Sequence, residues 1–191
     1  MRHFVSPLMM PFVALISALA CTNCSRPVSL SYGAVPEFSL TDQTGAMFSS
    51  ATVLNGRVWV ADFFFTTCPG PCPRMSSQMH QVQMALAKEG IRLVSFTVDP
   101  EHDSPPVLES YARSFDARTG VWYFLTGSRG ALQHLDRDAF QLGDVDGTLQ
   151  HSTRFVLVDK HLRIRGYYLT SEPDAISRLI ADARSLLRDP V

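Results

Sequence analysis

The segment that most limits what this chain can fold into is Val58-Trp59-Val60-Ala61-Asp62-Phe63-Phe64-Phe65, followed directly by Thr66-Thr67-Cys68-Pro69-Gly70-Pro71-Cys72-Pro73. A strand that is apolar at odd and even positions alike has no face to offer water. It belongs inside a sheet with helices on both sides. The next stretch, Arg74 to Glu89, changes period. Met75, Met79, Val82 and Leu86 recur at helical spacing, and Gly90 supplies the stop. Ile91 to Val98 is strand-like again. Strand, helix and strand in this order predict a βαβ unit with parallel pairing and a right-handed crossover.

The flanking sequence extends that unit. Phe38 to Thr41 and Ala46 to Phe48 surround the turn Asp42-Gln43-Thr44-Gly45, predicting an N-terminal hairpin. Ser104 is placed to cap a helix with Pro105 in its first turn and Leu108, Tyr111, Ala112 and Phe115 as its buried stripe. Val121 to Leu125 is a third strand, and Ser128 can cap a helix through about Phe140. Phe155 to Val158 and Leu162 to Tyr168 flank Asp159-Lys160-His161 as an antiparallel hairpin. A last helix from near Pro173 would bury Ile176, Leu179, Ile180, Ala183 and Leu187. The expected fold is α/β and thioredoxin-like: one domain over residues 37–191, with a mixed sheet of about five strands, flanking helices and the hairpin.

Composition agrees with a packed domain. Of 191 residues, 46% are hydrophobic and 18% charged, enough apolar surface for a core and too little charge for a disordered chain. Seventeen Lys and Arg against 18 Asp and Glu leave a net charge of −1, which excludes nucleic-acid binding through a dominant electrostatic field.

Residues 1–20 predict an export signal. They hold no acid, one firm positive charge at Arg2, and an apolar stretch from Leu8 to Ala20 broken by Pro11. The sequence Ala18-Leu19-Ala20-Cys21 fits signal-peptidase cleavage after Ala20, and a cysteine there resembles a bacterial lipoprotein signal with Cys21 as the lipidated first residue. Ala18 stands where that pattern usually has Leu. A cleaved soluble form and an uncleaved membrane anchor are the other readings. All three put the folded part outside the cytoplasm, and the lipoprotein reading ties it to the membrane in a bacterial periplasm. Residues 21–36 are polar, small and Pro-containing, and read as a tether; Cys24 within them has no assigned role.

Cys68 and Cys72 sit where chemistry is readily placed. They follow a buried strand and open a helix, whose free N–H groups favour a thiolate. Their spacing sets both sulfurs on one side of the first turn, close enough for a disulfide or for one soft metal ion. The surrounding prolines hold the loop in shape. A purely stabilising disulfide is the alternative, but a bridge closing so short a loop constrains the unfolded chain little. Met75 and Met79 offer thioethers, yet their spacing with Val82 and Leu86 marks them as core. Asp99 and Asp103 suit strand-end turn chemistry and capping at Ser104 better than acid–base work.

Several motifs together resemble the Sco (SenC/PrrC) family. Phe65-Thr66-Thr67-Cys68-Pro69-Gly70-Pro71-Cys72-Pro73 is similar to its TxCPxxCP element, and Asp99-Pro100-Glu101-His102-Asp103-Ser104-Pro105 to its DPxxDTP segment. Trp122 through Leu125-Thr126-Gly127 resembles its W-x-x-LTG strand end. His151-Ser152-Thr153 before Phe155-Val156-Leu157-Val158-Asp159 resembles its histidine-bearing segment. The resemblance spans roughly residues 36–188. It implies a thioredoxin-like fold with a copper site formed by Cys68, Cys72 and His151. It also implies delivery of copper to the dinuclear CuA centre of cytochrome c oxidase subunit II, or to another periplasmic acceptor. Two thiolates and an imidazole are a donor set suited to Cu(I) and able to accommodate Cu(II). Gln150 departs from the acidic residue common before the histidine, which bears on the surroundings of the ligand more than on ligation. Asp144 and Asp146 could supply charge instead. His80, His134 and His161 look structural or exposed, and His102 is retained as an accessory ligand.

Two other functions compete. A thiol–disulfide oxidoreductase could use Cys68 and Cys72 as a redox-active pair to reduce the recipient's cysteines. Three residues between the cysteines and no proline from Gln141 to Glu172 weaken the general form of that reading. A thiol peroxidase would use a lone reactive cysteine with a distant resolving one, which this close pair fits poorly. The copper and redox readings can coexist, since thiols must be reduced before they bind metal.

Overall fold

The computed structural model describes residue 1 and residues 31–142 and 152–188. The central strand β3 (Trp59–Phe64) is buried at every position, as an apolar run on both faces requires. Its side chains divide by alternation. Val60 and Phe64 pack with one cluster, while Trp59, Ala61 and Phe63 pack with the other.

On one side of it lies β4 (Arg92–Thr97), then β5 (Trp122–Thr126), both parallel pairings. On the other lies β6 (Arg154–Val158), antiparallel, followed by β7 (Ile164–Leu169). The N-terminal hairpin, β1 (Ser39–Asp42) and β2 (Met47–Ser49), joins the same sheet through β1 against β5. Among the described residues the sheet therefore has seven strands in the order β2-β1-β5-β4-β3-β6-β7, two more than expected, because the hairpin pairs with the sheet edge. Leu40 packs against the backbone at Gly127, where a Cβ would meet Leu40 Cδ2 at 2.5 Å.

One face is covered by α2 (Cys72–Leu86), α3 (Pro105–Ser114) and α5 (Ala175–Arg188), whose Met75, Met79, Leu108 and Leu179 are fully buried. The methionines are core, as their spacing predicted. The other face is closed by the short α1 (Ser50–Val53) and α4 (Arg129–Gln133), with a π-helical turn continuing α4 over His134–Ala139. Ser128 caps α4 by accepting from Ala131 N–H at 3.3 Å. Ser104 holds the N-cap position of α3 without a side-chain cap bond. Gly90, at φ 91°, takes the left-handed conformation that ends the helical run. Residues 32–35, at the end of the segment read as a tether, lie along β7, with Tyr32 N–H donating to Ile164 O at 2.9 Å and Val35 N–H to Leu162 O at 2.8 Å.

Candidate metal centre

β3 delivers the cysteines. The chain leaves it through Phe65, Thr66 and Thr67, and Cys68 N–H turns back onto Phe65 O at 3.3 Å. Helix α2 begins at Cys72, two residues before the periodicity placed it. Pro71 already has helical angles (φ −74°, ψ −25°), and Pro73 occupies a position where no N–H is needed. Cys72 is thus the first helical residue, and its main-chain neighbour Pro71 accepts from Met75 N–H at 3.0 Å.

Both cysteines are thiols and both are buried, Cys68 at 8% exposure and Cys72 at 0%. The helix N-terminus was expected to favour the thiolate. At Cys72 burial overrides it, and its thiol is pushed well above the usual range. Desolvation is the main cause. The hydrogen bond with Cys68 adds to it, and a backbone hydrogen bond with Phe65 opposes it. Cys72 is therefore held protonated until something replaces its proton.

The loop is anchored from elsewhere in the fold. Asp103 is fully buried and accepts from Thr66 N–H at 3.1 Å, from the Thr66 hydroxyl at 2.5 Å and from the Thr97 hydroxyl at 2.5 Å. Sequence reasoning assigned Asp103 to turn and capping chemistry; its partners are instead the strand end and the cysteine loop. The ring Nδ1 of His102 lies 3.2 Å from Asp103 Oδ1.

Two further groups adjoin the thiols. Asp62, on the same face of β3 as Val60 and Phe64, is buried, and its carboxyl is pushed up to about 7 by desolvation, partly opposed by the Ser95 hydroxyl, which donates to it at 2.6 Å. Trp122 Nε1 donates to that hydroxyl in turn at 2.9 Å. The Tyr111 hydroxyl lies 3.0 Å from Ser76 Oγ, and burial raises its phenol. Sequence reasoning passed over Asp62; the signal that could have found it is a lone acid in an apolar strand.

Of the expected ligands, the structure brings together Cys68 and Cys72. His151 lies outside the described residues, as do Cys21, Cys24, Asp144, Asp146 and Gln150. Among the described residues no three His, Cys, Asp or Glu side chains form a metal-binding group. His80 is engaged by its Nδ1 with Phe115 O at 2.9 Å, and His134 with Asp138 at 2.7 Å.

The residues that follow His151 are well placed in the fold. Val156 of β6 pairs antiparallel with Ala61 of β3, so β6 starts at the end of the sheet from which the cysteine loop departs. Thr170 N–H donates to Thr153 O at 2.9 Å, and Gln78 Nε2 of α2 donates to Thr170 O at 3.0 Å. These two bonds tie the cysteine-bearing helix to the chain two residues after His151.

Comparison with known proteins gives one consistent result. Residues 30–188 match the family model described as SCO1/SenC. The SCO1 protein homolog of Bacillus subtilis (strain 168) is 32% identical over 173 residues, covering 87% of this chain and 89% of that protein. The solved structure of BsSco, described as a member of the Sco family of cytochrome c oxidase assembly proteins with a disulfide switch, superposes with a TM-score of 0.72. It is 31% identical and covers 83% of this chain and 95% of its own. Bradyrhizobium japonicum ScoI with copper bound shares the fold, with a TM-score of 0.66 at 23% identity, over 81% of this chain and 99% of its own.

Proposed function

Because this chain belongs to the SCO1/SenC family, we propose that it is an exported copper-binding metallochaperone that carries one copper as cargo. Cys68, Cys72 and His151 are its ligands, and its recipient is the CuA centre of cytochrome c oxidase subunit II. The observation that carries the reading is the preformed thiol pair on the first turn of α2, buried and anchored through Thr66 to Asp103. A rigid, dry pair of sulfurs is a soft site that selects Cu(I) and resists hard cations. The Gln78–Thr170–Thr153 link supports His151 as the third donor, since it holds the chain beside that residue to the cysteine helix. The copper-bound ScoI structure supports the choice of metal.

Metal binding by this pair is proton-coupled. Cys72 is held as a thiol by its surroundings, so copper must displace that proton, and uptake strengthens as pH rises. The same feature disfavours general disulfide exchange, which needs an available thiolate. Release would proceed by thiolates of the recipient displacing these ligands one at a time. Cys21 as a lipidated first residue would hold the domain at the outer face of the cytoplasmic membrane, within reach of a membrane-bound recipient.

X-ray absorption at the copper edge of the loaded, reduced protein tests the ligand set. Two sulfur scatterers and one imidazole are expected, with the imidazole lost in His151→Ala. Sulfur-only coordination in the wild type would overturn the three-ligand reading.

A further inference from the structure

One imidazole beside the cysteine loop has no part in the ligand set above. His102 follows β4 in the connection to α3, and its side chain is 52% exposed. Its Nδ1 lies 3.2 Å from Asp103 Oδ1 and 3.4 Å from Thr66 Oγ1. The other partners of the buried Asp103 carboxylate are neutral donors, the Thr66 N–H and the hydroxyls of Thr66 and Thr97. Asp103 Oδ1 thus lies within reach of a ring N–H at Nδ1. In the neutral imidazole a proton on Nδ1 leaves Nε2 unprotonated, with its lone pair available to a metal. Metal-binding histidines are commonly oriented in this way, with a carboxylate behind the ring.

The same carboxylate grips Thr66, two residues before Cys68, so imidazole and cysteine loop share one anchor. The two cysteines are nearly closed to solvent, at 8% and 0% exposure, so the half-exposed imidazole is the more accessible soft donor beside the loop.

We propose that His102 is an outer docking ligand that holds incoming copper through Nε2 before the two cysteines take it. The inference rests on the copper reading and adds the step that precedes the final ligand set. That step is ligand exchange without electron transfer. Cu(I) leaves its carrier for Nε2, the two sulfurs then displace the imidazole, and their protons pass to solvent. A single imidazole holds Cu(I) less firmly than two thiolates, so the ion is not trapped at the rim.

The test follows the transfer of Cu(I) from its coloured bicinchoninate complex to the full-length reduced protein, by anaerobic stopped flow. Wild type is compared with His102→Ala and His102→Asn. Both variants should load more slowly, on the order of tenfold, the scale on which one metal contact or its supporting partner counts. Final stoichiometry and unfolding midpoint should be unchanged. Loading at the wild-type rate would overturn the docking role and leave the copper reading standing. Slower loading with a lowered unfolding midpoint would assign the effect to loop stability, which also overturns it. A wild type that takes up no copper would remove both readings together.

Discussion

The backbone N–H of Thr66 donates to Oδ2 of Asp103 at 3.1 Å, joining the loop that carries the cysteines to the loop that opens α3. With the hydroxyls of Thr66 and Thr97 on the same carboxylate, the position of the thiol pair is set by a side chain far from it in sequence. Asp103→Ala removes the acceptor of all three donors, of which the Thr97 hydroxyl is buried and the two of Thr66 are partly buried. It should cost about 2–4 kcal/mol in urea-induced unfolding, with Asp103→Asn intermediate. A loss under about 0.5 kcal/mol, the range of an ordinary surface change, would show that the anchor is not one.

Met75 and Met79 lie on the cysteine helix with no exposed surface. Met79→Leu should lower stability by less than about 1.5 kcal/mol, as a volume-conserving core change does, and leave copper stoichiometry at one per chain. Loss of copper with the fold intact would make the thioether a ligand.

Two buried carboxyls give the copper-free protein a definite pH dependence. Burial pushes Asp62 up to about 7 and Asp136 up to about 6. Neither oxygen of Asp136 meets a hydrogen-bond partner among the described residues. The folded state keeps protons that the unfolded chain, titrating near 3.8, has already released. Stability from these groups is therefore full below about pH 4 and is lost as pH rises toward about 7. Urea midpoints of the reduced protein at pH 5 and pH 8 should differ less in Asp136→Asn than in wild type. An unchanged or larger difference would contradict the assignment.

Oxidation should act as an off-switch for the site. Joining Cys68 to Cys72 consumes both sulfur donors. Protein treated with diamide and desalted should retain no copper after loading, and reduction should restore one per chain. Copper held by the oxidised protein would place the site elsewhere.

Much of the architecture was legible because burial leaves a periodic trace. The apolar run at Val58–Phe65 announced a central strand, and β3 is central. The helical spacing of Met75, Met79, Val82 and Leu86 announced the buried face of α2. The attachment of β1 to β5 was not legible, since a hairpin's own pattern does not say which sheet edge it will join. Asp103 was misread for a related reason. An acid between a strand and a helix looks like local turn chemistry, and only the fold shows that its partners are Thr66 and Thr97. The favourable helix terminus at Cys72 was legible, but the burial that outweighs it was not.

The most direct test is an anaerobic Cu(I) titration of the reduced protein against a competing chelator, for wild type and His151→Ala. One copper per chain, held at least about tenfold more tightly by the wild type, is the predicted result for loss of one of three ligands. Equal affinity in the two proteins, or wild-type binding no stronger than that of a short unstructured dithiol peptide, would contradict the account.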